Sequence, residues 1–120
     1  VAAATPEIKV ADCKYNAKQI ISLAKELAKK DVKLAVFPEL CITGYTCQDL
    51  FYQTTLLDGA KNALITILDE LSELDMITVA GLRMQNDSKQ YNCAGLCAKA
   101  VPAELQRILR DAPLYRLGRQ

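Results

Sequence analysis

Leu34-Ala35-Val36-Phe37-Pro38-Glu39-Leu40 is a run of four apolar residues closed by a proline and a carboxylate. Four residues are too few for a helix, and an uninterrupted apolar run stopped by proline has the pattern of a strand buried on both faces. Upstream, Ala17, Ile20, Ile21, Ala24, Leu27 and Ala28 recur at helical spacing, opposite Lys18, Ser22, Lys25, Lys29 and Lys30. This predicts an amphipathic helix over about 16–30. Asn16 with Gln19 three residues on has the spacing of a capping box, and the terminal lysines suit the negative pole of the helix. Burying the six apolar side chains is worth on the order of 10 kcal/mol gross, so the stripe needs a covering layer. Residues 1–5, before Pro6, read as a short first strand. Strand, helix and strand in that order predict a parallel βαβ unit and place the chain in the α/β class.

Beyond Leu40, residues 41–52 (CITGYTCQDLFY) show no clear period and read as a structured loop. A second helix is expected from Thr55, with Asp58 as its capping partner, to about Leu74; Leu56, Leu57, Ala60, Ala63, Leu64, Ile67, Leu71 and Leu74 form its apolar stripe. Residues 76–82 (MITVAGL) predict a strand, 85–89 (QNDSK) a polar turn and 90–98 a last strand, the two strands forming a hairpin.

The 120 residues are 51% apolar and 24% charged, the composition of one globular domain, with a net charge of +1 that gives no polyanion-binding surface. Nucleic acid is therefore not expected as a partner. No apolar run approaches the roughly 20 residues of a membrane helix, and residues 1–5 lack the basic start of a signal peptide, which predicts a cytoplasmic chain without a membrane partner. Cys13, Cys41, Cys47, Cys93 and Cys97 lack the paired spacing of a zinc module, and the chain contains no histidine. Reduced thiols and no metal site are the expectation. The absence of histidine also removes Ser-His-Asp and Cys-His hydrolysis.

Glu39 is the candidate catalytic residue, because the carboxyl ends of strands in open α/β sheets are where reactive groups gather. A solvated or helix-capping glutamate is the plain alternative. Cys41 is a conceivable nucleophile beside it, although a small core thiol is the commoner role. Cys93 and Cys97 share a strand face but lie four apart, outside the usual redox spacing.

VFPELCITGYTCQDLF (36–51), together with VAAATPEIKVADCKYNAKQI (1–20) and YNCAG (91–95), resembles the amino-terminal glutaminase domain of bacterial glutamine-dependent NAD synthetases. That domain belongs to the nitrilase, or carbon-nitrogen hydrolase, superfamily. The resemblance spans about residues 1–95 and implies the first half of a four-layer α-β-β-α sandwich, in which two sheets face each other. It also implies a chemistry: a Cys attacks the side-chain amide of glutamine, a Glu acts as general base, and a Lys stabilises the oxyanion. The general base maps onto Glu39, whose thiol-deprotonating role is one that a recessed carboxylate can perform. Tyr45 matches a position that the family uses in its substrate pocket. ATP and nicotinate adenine dinucleotide would be substrates of a synthetase domain beyond these residues, and no cofactor is implied within them.

The family pattern breaks near residue 100. Where the family carries its Lys after a proline, Val101-Pro102 is followed by Ala103. The composition changes at the same place: residues 1–99 hold ten lysines and Arg83, whereas 100–120 hold no lysine and four arginines. The expected organisation is a partial glutaminase domain over 1–99 and a tail without family resemblance over 100–120, with a helix at 103–110. A frameshift or internal deletion near 95–100 is the expected origin of the tail, because codons compatible with Val101 onward can be read, one nucleotide shifted, as the family's continuation. The chain by itself is then expected to be catalytically inactive and to self-associate through the unpaired edge of its last strand. Two other readings remain open: a non-catalytic interaction module that uses the tail helix, through Leu105, Ile108 and Leu109, as its contact, and another amidase of the superfamily.

Overall fold

A computed structural model describes residues 1–99 of the 120. The expected helix at 103–110 lies outside the described residues. The chain runs β1 (Ala2–Ala3), α1 (Cys13–Lys29), β2 (Leu34–Val36), a 3₁₀ stretch (Tyr45–Tyr52), α2 (Thr54–Leu71), β3 (Ile77–Asn86) and β4 (Lys89–Cys97). The four strands form one sheet in the order β1-β2-β3-β4. β1 pairs with β2 and β2 with β3 in parallel, and β3 and β4 form an antiparallel hairpin. The α/β class and the parallel βαβ unit expected from the sequence are thus present.

The helices cover one face of this sheet. A β-carbon on Gly95 would stand 2.5 Å from Leu64 of α2, so β4 presents Gly95 to that helix. Ala80 is opposite Gly95 in the ladder and shares its face. The alternation of β3 carries the same face through Thr78, Ala80, Leu82 and Met84, all buried. Ile20 and Ala24 of α1 and Ala60, Leu64, Ile67 and Leu71 of α2 complete the core. Among the described residues, no helix is long and apolar enough to cross a membrane.

Four local expectations are corrected. Helix α1 begins at Cys13, three residues before Asn16, and its cap is Asp12, whose carboxylate accepts from the Tyr15 amide at 3.1 Å. Asn16 sits inside the first turn and spends its side chain on tertiary hydrogen bonds instead. Helix α2 begins at Thr54 after Gln53, with no side-chain cap, so Thr55 and Asp58 do not form a capping box; it ends at Leu71 rather than Leu74. The polar segment 85–89 is mostly ladder: Gln85 pairs with Gln90 and Asn86 with Lys89, leaving a two-residue turn at Asp87 and Ser88, both at positive φ. Finally, β2 is buried on one face only, with Ala35 enclosed and Val36 40% exposed, because no helix among the described residues packs on the second face.

Candidate functional site

The second face of the sheet carries the candidate site. Phe37 continues the β2 pairing, its amide donating to Val79 O at 2.8 Å, and Pro38 then ends the strand. The chain turns tightly over residues 39–43, with Leu40 at φ 53°. Cys41 N donates back to Pro38 O, Ile42 N to Gly81 O and Gly44 N to Leu40 O. These bonds press the turn onto the middle of β3. Gly81 is what permits it: a β-carbon there would meet Leu40 N at 2.6 Å and Pro38 O at 2.9 Å.

Asn16 fixes the turn from the other side. It is fully buried, accepts from Lys9 N at 2.7 Å, and donates to Lys9 O at 2.8 Å and Ile42 O at 2.9 Å. Ala11 N donates to Thr43 O at 2.7 Å, so the loop before α1 and the turn after β2 form one unit. Both loops lie at the carboxyl ends of parallel strands, which is where the topology expects a site.

Glu39 is exposed at the rim of a shallow groove of about 280 Å³, together with Val36, Phe37, Val79, Gly81 and Asn92. Asn92 Nδ2 donates to Glu39 Oε1. On the same strand pair, Arg83 is the ladder partner of Asn92. Its guanidinium lies 4.1 Å from the centroid of the Phe51 ring and donates to Gln90 Oε1, while Gln90 donates to Phe51 O at 2.7 Å. This ties the 3₁₀ stretch to the hairpin.

The other residues singled out in the sequence fall elsewhere. Tyr45 is 67% exposed at the start of the 3₁₀ stretch and is not part of the groove wall. Cys41 is buried, directs its thiol to Gly81 O, and burial pushes that thiol up to about 11. Cys93 borders the groove through its place on β4, but the ladder turns its side chain toward the helices and burial raises its thiol. Cys97 is pushed up to about 12 by burial. Cys13 is pushed to about 11, first by burial and then by Cys47 nearby. All five cysteines are free and buried. Among the described residues there is no group of three or more His, Cys, Asp or Glu placed to hold a metal ion. The site's amide, Asn92, was visible in the sequence only as part of YNCAG; its signal was the alternation that puts it on the face opposite Cys93.

The family model for carbon-nitrogen hydrolases matches residues 1–100. The glutamine-dependent NAD(+) synthetase of Mycobacterium tuberculosis (strain ATCC 25618 / H37Rv) is 33% identical over 94 residues, which is 78% of this chain and 14% of that protein. Among solved structures, a glutamine-dependent NAD(+) synthetase from Cytophaga hutchinsonii superposes with a TM-score of 0.75 at 30% identity, over 81% of this chain and 16% of its own. The glutamine-dependent NAD+ synthetase of Acinetobacter baumannii, solved with adenosine diphosphate, gives 0.67 at 27% identity, over 81% of this chain and 18% of its own. The chain therefore spans about a seventh of the length of the curated relative it matches.

Proposed function

The chain belongs to the carbon-nitrogen hydrolase family, and on that premise we propose that residues 1–99 are the opening part of a glutamine-hydrolysing domain in which Glu39 is the general base. The observation that carries this reading is the Glu39 carboxylate at the carboxyl end of β2, held on the groove by Asn92. In the proposed reaction Glu39 takes the proton of a cysteine thiol, and the thiolate attacks the amide carbon of glutamine. Ammonia leaves with the proton that the base returns, and water then hydrolyses the thioester to glutamate.

The nucleophile is not among residues 1–99, because all five thiols there are buried and the four with raised values are least able to ionise. Nor does any described lysine line the groove. The 120-residue chain by itself is accordingly inactive in this proposal. Tyr45, beside the same turn, contributes to the substrate pocket, and ammonia passes to a synthetase domain that uses ATP and nicotinate adenine dinucleotide outside these residues. Five free thiols suit a reducing, cytoplasmic compartment.

The test replaces the corresponding first segment of the Cytophaga hutchinsonii enzyme with residues 1–99 and measures ammonia release from glutamine. Hydrolysis is expected in the chimera and about 10²-fold or more lower with Glu39→Gln, the usual scale of a lost general base. Hydrolysis indifferent to Glu39→Gln, or ammonia release by the 120-residue chain itself, overturns the proposal.

A second reading concerns assembly, and rests on the sheet face opposite the helices. Val36, Ile77 and Leu96 are exposed there, and among the described residues β4 is an edge of the sheet. The four-layer sandwich implied by the sequence would set a second sheet on this face. In this reading the apolar residues of this face meet the same face of a second copy, which gives self-association.

A further inference from the structure

We propose that Asn92 is a positioning residue for Glu39, fixing the direction of its carboxylate through the amide hydrogen bond across the sheet. The inference rests on the reading of Glu39 as the general base and adds to it the group that aims the base.

Glu39 stands on a turn, exposed, with the rotamer freedom of a long side chain. A base must keep one oxygen within reach of a particular proton, so a carboxylate on a turn needs something rigid to hold it. Asn92 supplies this from a regular strand, where it is paired in the β3–β4 ladder with Arg83. It faces the groove because Cys93, its neighbour, faces the helices. The amide orientation follows from the chemistry: an ionised carboxylate only accepts, so the nitrogen of Asn92 must be the atom toward Glu39 Oε1.

The identity of the donor also suits the task. A side-chain amide donates through a planar group with a fixed direction, so it can aim a carboxylate oxygen as well as hold it. Arg83, the ladder partner of Asn92, is itself engaged by the Phe51 ring and Gln90. Asn92 thus joins the turn after β2 to the last strand of the hairpin.

The experiment is carbon NMR of the full 120-residue chain carrying labelled glutamate side-chain carboxyls, with the Glu39 signal identified by its disappearance in Glu39→Gln. Asn92→Leu is expected to move the Glu39 signal while those of Glu7, Glu26, Glu70 and Glu73 stay in place. A Glu39 signal unchanged in Asn92→Leu overturns the proposal. Should Asn92→Leu disturb every signal, Glu39→Ala decides, because it changes only an exposed side chain. Its expected effect is loss of the slow solvent exchange of the Asn92 side-chain amide protons, and exchange equal to wild type overturns the proposal. These readouts need no catalysis. Failure of the general-base reading is seen separately, as glutamine hydrolysis that survives Glu39→Gln in the chimera.

Discussion

Gly81, in the interior of β3, lies directly beneath Glu39: a β-carbon on Gly81 would stand 2.8 Å from the Glu39 Cα. The atoms it would meet belong to backbone, so no flexible side chain can yield. Gly81→Ala must therefore lift the turn that carries the base, and crowding of this kind costs about 1–3 kcal/mol. The expected outcome is a lower urea midpoint together with a displaced Glu39 carboxyl signal. A variant with wild-type stability and an unmoved signal would show that the turn does not rest on β3.

Asn16 is expected to be the most costly polar side chain to lose. Its three hydrogen bonds satisfy Lys9 N, Lys9 O and Ile42 O in a fully buried position. Asn16→Ala strands those groups, at a cost on the order of 3 kcal/mol. Asn16→Asp keeps the shape but buries a charge and loses both donors, and so should cost as much. Chemical denaturation of the two variants measures this, and a loss below about 1 kcal/mol in both refutes it.

The hairpin turn is expected to gain from glycine. Asp87 and Ser88 have φ of 47° and 63°, the left-handed pair that a tight two-residue hairpin demands. A serine held there costs about 1 kcal/mol relative to glycine, which adopts that backbone without a clash. Ser88→Gly should raise the unfolding free energy by about that amount and the midpoint with it, and a lower midpoint would contradict the turn geometry.

The buried thiols give the chain an alkaline limit. Cys13 and Cys41 are raised from 9.0 to about 11 and Cys97 to about 12. The fold thus favours the protonated thiol. Below pH 9 both folded and unfolded chains are protonated at these groups and no stability depends on them. Above pH 9 the unfolded chain releases protons that the folded chain retains, so stability falls with rising pH up to about 11. Each such thiol contributes a slope of about 1.4 kcal/mol per pH unit in that window. Urea midpoints between pH 8 and 10.5 should decline, and more gently in Cys97→Ala. A flat profile would mean that the thiols are not enclosed in solution.

How much of this was legible beforehand depended on range. The run 34–37, the stripe of α1 and the hairpin repeat are local patterns, and each became the expected element. The end of β2 just before Glu39 was legible for the same reason, since Pro38 closes the apolar run. The partner of Glu39, Asn92, was not, because the bond spans 53 residues and depends on the β2-β3-β4 order. Asn16 misled because the residue type that caps helices also makes buried tertiary bonds, and nothing local distinguishes the two uses. Val36 misled because an apolar run records what a strand is built to meet, whether or not the meeting surface lies within the described residues.

Among the described residues, no helix packs on the second face of the sheet. The register places Val36, Val79 and Leu96 in one row across three strands, with Ile77 one step along the same face. Val36, Ile77 and Leu96 are each 40–46% exposed. Contiguous apolar surface of this kind gains about 25 cal/mol for each square ångström it removes from water, and a second copy offers the same surface in return. The 120-residue chain should therefore sediment as a dimer or larger species. Leu96→Lys should return it toward monomer without loss of folding, because position 96 faces away from the helices. Sedimentation velocity of wild type and Leu96→Lys over a tenfold range of concentration decides between the outcomes. A wild-type chain that stays monomeric throughout would mean that something else covers this face in solution.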